Sequence, residues 1–365
     1  MMRVLAVWFL MVCVSGTMQA QDAQENFKFA KFNYDNGKFE ESLGFLNKAL
    51  NKDPLYVNAY YLRAEAYFHL EQYYSSVLDI NQIFKIETNT TAFTGNYYLT
   101  RGKAFLGLKD YSNATEDFEK SLSLLNDNAE IYYYKAKIEY ETGDYPQALS
   151  YLDLAIDITS DNPEFYAFRS EIKSQNITVI PKSEEYQSIL GDINVAIALE
   201  PDNYTYYLLR SNFLNSMGET DAAMRDYNKM IELSPSTEDA YTNRGVVKMN
   251  KYDYRSAALD FTKSILINPN DERNYRYRGL CYNNLDNFSE AFKDFSKSID
   301  LLTKELSTTS QKDMIQNTLA ETYILRGHCL NLMGNNAQAC RDFLSAHNLG
   351  VKKGLNYYRK YCGIY

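Results

Sequence analysis

Residues 238–271 read EDAYTNRGVVKMNKYDYRSAALDFTKSILINPND. Two short amphipathic helices joined by a tight turn account for the pattern. Tyr241, Gly245 and Lys248 recur at helical spacing, the turn falls at Tyr252-Asp253, and a second run carries Ala257, Phe261 and Ser264. Pro269 stops that run, because proline has no amide hydrogen to donate and clashes with the preceding turn. A hairpin of this size cannot bury its own apolar face. The pattern returns every 34 residues, so neighbouring copies can cover one another. The chain is predicted to be an all-α solenoid.

Extended in both directions, the template fits nine units: 23–56, 57–90, 95–128, 129–162, 163–203, 204–237, 238–271, 272–305 and 320–353. Position 8 is small throughout: Ala30, Ala64, Gly102, Ala136, Ser170, Ser211, Gly245, Gly279 and Gly327. Position 20 is small in nearly all: Ser42, Ser76, Ala114, Ala148, Ala223, Ala257, Ala291 and Ala339. Large side chains where two helices cross would push their axes apart. Tyr60, Tyr98, Tyr132, Tyr166, Tyr207, Tyr241 and Tyr275 stand at position 4 of their units and are expected to wedge between repeats.

This spacing resembles the tetratricopeptide repeat family over essentially the whole of residues 21–353. The resemblance implies antiparallel helix pairs stacked into a right-handed α-solenoid superhelix of about nine helix-turn-helix units, with a concave groove. Two stretches depart from the period. Unit 163–203 carries seven extra residues around Asn176 to Pro181, where the β-branched run and the proline predict a longer loop. Residues 306–319 are either a polar loop or a lengthening of the adjoining helices. Residues 354–365 fit a capping helix, which a stack needs because its last apolar face would otherwise meet water.

A paired charge recurs inside the repeat. Position 7 is Arg63, Arg101, Arg169, Arg210, Arg244, Arg278 and Arg326, and position 23 of the same seven units is Asp79, Asp117, Asp192, Asp226, Asp260, Asp294 and Asp342. The other two units lack both partners and carry Phe29 with Phe45 and Lys135 with Tyr151. Both positions lie equally far from the turn, so an antiparallel hairpin sets them at one height. Structural ion pairs are expected, since the planar guanidinium fork can meet a carboxylate with two hydrogen bonds. An acid–base row is disfavoured, because arginine cannot release its proton near neutral pH.

The first twenty residues read as an export signal. Arg3 supplies the positive start, Leu5 to Val14 are ten apolar residues, and Ala20 is the expected last residue removed. Met18 is a poor residue two positions before that cut, which leaves the exact site open. The apolar run is shorter than the roughly 20 residues of a membrane span, so no membrane span is expected after signal removal. The protein is therefore expected to be exported, periplasmic or secreted. Its formal charge is −9, and −10 once Arg3 is removed. That balance argues against nucleic acid or anionic lipid as main partner, because phosphate binding needs clustered lysine and arginine. Oligomeric state leaves no mark on the sequence.

Little catalytic chemistry is visible. His69, His328 and His347 stand in separate helices without metal-ligand spacing, and no Gly-rich phosphate loop or GxSxG elbow occurs. No metal, no cofactor and no enzyme activity is expected. Cys281, Cys329, Cys340 and Cys362 remain after the signal, with no CxxC pair. Cys340 in the last repeat and Cys362 in the cap could bridge, closing a loop worth roughly 3 kcal/mol on the chain-entropy model; two buried thiols are the alternative. Cys281 and Cys329 occupy equivalent positions of successive units, too far apart for a bond.

In the family that the spacing resembles, positions 2, 5, 9, 12 and 13 of the first helix line the groove. Carried over, these give Phe27, Tyr34, Tyr61, Phe68, Tyr133 and Tyr140 in the N-terminal half. The C-terminal half gives Asn212, Asn215, Asn250, Arg276, Asn283, Asn284 and Asn331. An aromatic wall beside an amide-rich wall suits an extended peptide, although 33 tyrosines and abundant asparagine occur in the chain at large. The Lys/Asn/Arg clamp that some cytoplasmic relatives use for chaperone tails is matched by no three successive units. The expected function is a non-enzymatic scaffold for a protein or peptide. The alternative is a structural subunit of an envelope or secretion assembly, bound by its convex face or edges.

Overall fold

The computed structural model describes residues 21–87, 89, 92–175, 180–309 and 312–363. The expected export signal at 1–20 lies outside them. The chain divides into two compact units, Met1–Ile177 and Thr178–Tyr365. Regular structure among the described residues is entirely helical. The first unit holds α1 (21–35), α2 (Phe39–Lys52), α3 (Val57–His69), α4 (Tyr73–Ile86), α5 (Ala92–Gly107), α6 (Tyr111–Leu125), α7 (Ala129–Thr142), α8 (Tyr145–Ile158) and α9 (Pro163–Gln175). The second holds α10 (Glu184–Leu199), α11 (Tyr204–Ser216), α12 (Thr220–Leu233), α13 (Glu238–Asn250), α14 (Tyr254–Ile267), α15 (Glu272–Asn284), α16 (Phe288–Leu306), α17 (Lys312–Leu332), α18 (Asn336–Asn348) and α19 (Lys352–Cys362). Odd-numbered helices up to α17 open a repeat and even-numbered helices close it.

Every hairpin but the fifth turns in the same way. Position 15 adopts a left-handed backbone, with Gly143 at φ 90° and Tyr252 at φ 64°. The Tyr252 amide then donates to Met249 O at 2.9 Å and the Asp253 amide to Lys248 O at 3.0 Å, which satisfies the last carbonyls of α13. Asp253 next accepts from the Ser256 amide and caps α14. One residue thus ends a helix and its neighbour starts the next, which is why so short a turn suffices.

Within a hairpin, position 8 of the first helix meets position 24 of the second. A Cβ at Gly245 would lie 2.8 Å from the Phe261 ring, and Gly102, Gly279 and Gly327 face Phe118, Phe295 and Phe343 at 2.7 to 2.8 Å. Where position 8 is alanine, position 24 is smaller: Ala30 with Leu46, Ala64 with Ile80, Ala136 with Leu152, all fully buried. The summed volume is conserved although neither residue is, as close packing requires. Apolar clusters sit at repeat junctions rather than in one core, such as Phe118 with Ile131 and Leu99, or Leu152 with Phe165 and Ile172.

Both irregular stretches have a packing cause. Between the eighth and ninth units the helices are lengthened: α16 runs 19 residues and α17 runs 21, and Ile315 and Leu319 on the added turns bury against Ile299 and Leu302. The extra residues of the fifth unit fall at the boundary between the two units, with 176–179 outside the described residues. The cap begins at Lys352, two residues before the expected 354, and ends at Cys362. Its Gly354 brings it against α18, where a Cβ would meet His347 N at 2.6 Å and Phe343 O at 2.7 Å. Tyr357 and Tyr361 then cover Phe343. Cys340 and Cys362 are joined, with Cα atoms 5.8 Å apart. No described helix is long and apolar enough to cross a membrane.

The volume match predicts coupling. Gly245→Ala costs about 1–3 kcal/mol through overpacking, and Phe261→Leu lowers stability by removing buried carbon. Together they cost less than their sum, because they recreate the alanine–leucine pair of Ala136 and Leu152. A urea-unfolding double-mutant cycle checks this, and strict additivity contradicts it.

Candidate functional site

The recurring charges form a clamp that spans two repeats. Arg244 donates from Nε to Asp260 Oδ2 at 2.9 Å and from Nη2 to Oδ1 at 2.7 Å. The same two-bond geometry joins Arg63 to Asp79, Arg101 to Asp117, Arg210 to Asp226, Arg278 to Asp294 and Arg326 to Asp342, at 2.7 to 2.9 Å. Arg169 lies in the first unit and Asp192 in the second. The remaining amino group reaches back to position 25 of the preceding repeat. Arg63 finds Asn47, Arg101 finds Asn81, Arg169 finds Asp153, Arg210 finds Asn194 and Arg244 finds Asn228, at 2.6 to 2.7 Å. Arg278 and Arg326 find the hydroxyls of Thr262 and Ser296 at 3.1 Å. Position 25 escaped sequence reasoning because its residues share only an acceptor oxygen; its signal is a polar side chain 16 residues before the arginine, shifted where a linker intervenes.

Position 4 packs between repeats as the sequence suggested, with Tyr98 on Phe84 of the preceding repeat at 4.8 Å and Tyr60 against the apolar cluster of the first repeat. The position-4 ring also lies beside the guanidinium three residues on, as with Tyr241 and Arg244 at 5.6 Å and Tyr60 and Arg63 at 5.3 Å. Tyr166, Tyr207 and Tyr275 also donate their hydroxyls to the carbonyls of Ser160, Pro201 and Pro269 before the helix. The two units without an ion pair fill its place differently: Phe29 stacks on Phe45 at 5.6 Å, and Lys135 lies over Tyr151 at 4.9 Å. Burial opposes the Arg63 charge, but its bonds to Asp79 outweigh it; burial pushes the Asp79, Asp117 and Asp294 carboxyls up against their arginines. Burial opposes the charge of both partners and so offsets part of the pairing energy, while the two-bond geometry fixes register.

First helices of neighbouring repeats approach one another, α3 with α5 and α5 with α7 in the first unit, α13 with α15 and α15 with α17 in the second. Second helices make no comparable approach among the described residues. First-helix faces therefore lie on the inner side of each stack. Position 5 packs between repeats there as well. Phe27 packs on Tyr56 at 5.1 Å, Tyr61 on Tyr97 at 5.3 Å and Tyr133 on Phe165 at 5.1 Å. Tyr133 is only 8% exposed, which corrects its assignment as a ligand-facing ring. Tyr34 meets Phe39 and His69 and donates to Glu65 at 3.4 Å, and burial and Glu65 raise its phenol well above the usual range. Burial beside Glu65 pushes Tyr61 up to about 12.

Two lysines at position 9 sit among these rings. Lys103 lies over Phe68 at 4.9 Å and pairs with Glu130 at 3.0 Å. Burial opposes its charge, but Tyr134, Glu130 and Glu65 together raise its pKa. Lys137 lies over Tyr133 at 4.5 Å and Tyr134 at 5.5 Å, and burial lowers its pKa. It faces an open pocket of about 250 Å³ walled by Leu106, Tyr111, Tyr140 and Phe168, with Lys109 and Glu141 on the lining. Of the carried-over aromatic residues, Tyr140 is the one in this wall.

In the second unit Asn212, Asn215, Asn250 and Asn284 are exposed on first helices, while Asn283 and Asn331 are half-buried. Asn284 gives its amide to its own helix at Leu280 O, and Asn283 Oδ1 is buried without a partner. Arg276 turns to Glu272 at 3.4 Å. A polar knot missed in the sequence sits at the next junction: buried Asn274 donates to Glu238 at 2.7 Å and accepts from Thr242 at 2.8 Å. Cys281 and Cys329 are unlinked and buried, which pushes their thiols up to about 12 and about 11. Among the described residues, no three of His, Cys, Asp and Glu gather as metal ligands would.

Three family models described as tetratricopeptide repeat match residues 27–76, 105–172 and 204–237. The chain is a tetratricopeptide repeat protein. Part of this repeat protein is similar to RNA polymerase II-associated protein 3 of Xenopus tropicalis, 31% identical over 108 residues, which are 30% of this chain and 16% of that one. The chain thus spans a small fraction of the curated relative's length. Similar solved structures include the APC/C hetero-tetramer Cut9–Hcn1, at 16% identity, 80% of this chain, 54% of that chain and TM-score 0.51. The human IFIT1 dimer with PPP-AAAA is similar at 15% identity, 86% of this chain, 70% of that chain and TM-score 0.50. At such identities the likeness is one of fold.

The clamp of this repeat protein makes a graded prediction in urea unfolding. Asp260→Ala strands Arg244 and Lys248, which both bond it, and costs roughly 3–5 kcal/mol. Asn228→Ala removes one charge-assisted bond and costs about 1 kcal/mol. Asp253→Ala, which removes only a helix cap, falls well below Asp260→Ala; equal losses at these two aspartates contradict the clamp.

Proposed function

We propose that this protein is a non-enzymatic scaffold that holds a protein or peptide partner on its first-helix face, and that it works outside the cytoplasm. Tetratricopeptide repeat proteins bind proteins or peptides. The observation that carries the first half is the pocket beside Tyr140 and Lys137, which opens on the inner face of the first unit with aromatic walls and an ammonium group among them. Ring edges and a cation offer apolar contact and polarity together, as peptide recognition needs. The export half draws on the apolar run Leu5 to Val14 and on the Cys340–Cys362 bridge, since disulfides persist in oxidising compartments.

Exposed apolar residues on a second helix favour the other reading, a subunit of an assembly. Leu259 and Leu266 are 66% and 72% exposed, two helical turns apart on α14. Crosslinking pull-down from the native envelope separates the two. The pair Tyr140→Ala and Lys109→Ala should cut partner recovery about tenfold, as expected for losing a contact of over 1 kcal/mol. Leu259→Glu with Leu266→Glu should leave it unchanged. The reverse outcome contradicts the inner-face reading and favours assembly through second helices.

A further inference from the structure

We infer that the Cys340–Cys362 bridge is a redox lock, and that reducing it releases α19 from the end of the stack as a strap hinged at the turn around Gly350. This goes beyond the scaffold reading, because it concerns how the stack opens whatever partner the inner face holds. Compared with the helices before it, α19 is weakly held. It is 11 residues long, below the roughly 12–15 at which an isolated helix is marginal in water. Its N-cap is Val351, whose side chain accepts no bond from the helix. Lys352 and Lys353 stand in the first turn, where the positive end of the helix dipole repels them. Gly354 is the one residue of the helix that is fully buried. Position 7 of the repeat pattern, counted on from 354, is Lys360, which lies over Tyr361 at 4.9 Å. Among the described residues, no hydrogen bond or ion pair joins a side chain of α19 to another helix, so the clamp of the earlier repeats is missing here.

Half-buried rings and the bridge hold the helix instead. Tyr357 lies 5.6 Å from Phe343 and 4.3 Å from His328, and Tyr361 lies 5.8 Å from both. Leu330, Ala339 and Phe343 are buried beneath them. Exposed Lys352, Lys353, Arg359 and Lys360 fall within about 120° on the other side of the helix, with no acid among its residues, so their mutual repulsion works against it. Both cysteines are half-exposed, which lets a thiolate reach the bond. A dithiol supplies the two electrons. One of its thiolates attacks a sulfur of the bridge, the S–S bond breaks, and the other cysteine leaves as a thiolate. The second thiol then attacks the mixed disulfide, so that the dithiol becomes a cyclic disulfide and its two protons end on Cys340 and Cys362. Opening uncovers Phe343 and Leu330, the face that a following repeat would cover.

Amide hydrogen exchange of the full chain, read by mass spectrometry with and without a dithiol, tests the lock. Protection of 352–362 should fall about a hundredfold on reduction, the change expected on the chain-entropy model for a bridge that spans 22 residues. Protection of α17 should hold. Cys362→Ser without reductant should reproduce the open cap. Lys352→Glu with Lys353→Glu places charges in the first turn that suit the helix dipole, and should return about tenfold of the lost protection in the reduced chain. If Cys362→Ser does not fold, reduction of the wild-type chain still decides. Protection of α19 unchanged on reduction overturns the lock. So does a loss shared equally by α17 and α18, which makes the bridge a brace of the whole repeat, and so does a reduced double variant no better protected than the reduced wild type.

Discussion

Six position-7 guanidiniums, those of Arg63, Arg101, Arg210, Arg244, Arg278 and Arg326, each divide their donors between two repeats, and in every one of them the arrangement is that of Arg244. Two of its groups close the hairpin it belongs to, through an aspartate less than a tenth exposed, and a third reaches the second helix of the hairpin before. The arginine is rigid and planar, so both contacts must be met in one geometry. A hairpin that slid by one helical position would lose both at once. Burial works against the aspartates and offsets part of the pairing energy, while the geometry specifies how repeats stack. The repeats at 23–56 and 129–162, with Phe29 on Phe45 and Lys135 over Tyr151, show that the position needs a matched pair rather than a particular charge.

The rest of the packing follows from helices held at this spacing. Position 8 sets how closely the two axes approach, and position 24 compensates: glycine takes phenylalanine, alanine takes leucine or isoleucine. Position 5 then fills the gap to the next first helix, and position 15 turns the chain with a backbone that four glycines and four other residues adopt. The contact of position 8 with position 24 lies inside one hairpin, and the clusters around it are completed by residues of neighbouring repeats. The stack must therefore end somewhere, and α19 ends it with Tyr357 and Tyr361 over Phe343 and a disulfide at its last turn.

Most of this architecture could be read from the residues, because it depends on spacing. Arginine and aspartate 16 residues apart, and small residues at positions 8 and 20, recur at fixed intervals that only a helical hairpin brings together. What could not be read depends on rotation or on the absence of a partner. Tyr132 and Tyr133 are adjacent rings, and about 100° of helix rotation sets one beside Tyr151 of its own hairpin and the other on Phe165 of the next. Asn228, Thr262 and Ser296 look like ordinary polar surface until the arginine of the next repeat arrives. Lys137 lacks an ion-pair partner among the described residues, which Lys103 has in Glu130. Of the residues carried over to the inner face, Tyr140 lines the pocket, whereas Tyr133 is buried by the stack itself.

Function in such a molecule is a property of faces that stacking leaves open. In the first unit that face presents Tyr140, Phe168 and Lys137 around one pocket, held in place by rings already committed to neighbouring repeats. Preorganisation of this kind reduces what a partner loses on binding. All of it depends on repeats that are stable only in company. Far-UV circular dichroism of the isolated hairpin 238–271, compared with the three-repeat piece 204–305, tests that dependence most directly. The account predicts a largely unfolded hairpin with no cooperative melt, and a helical three-repeat piece that melts cooperatively. A hairpin that folds alone, with a sharp transition like that of the longer piece, would contradict it.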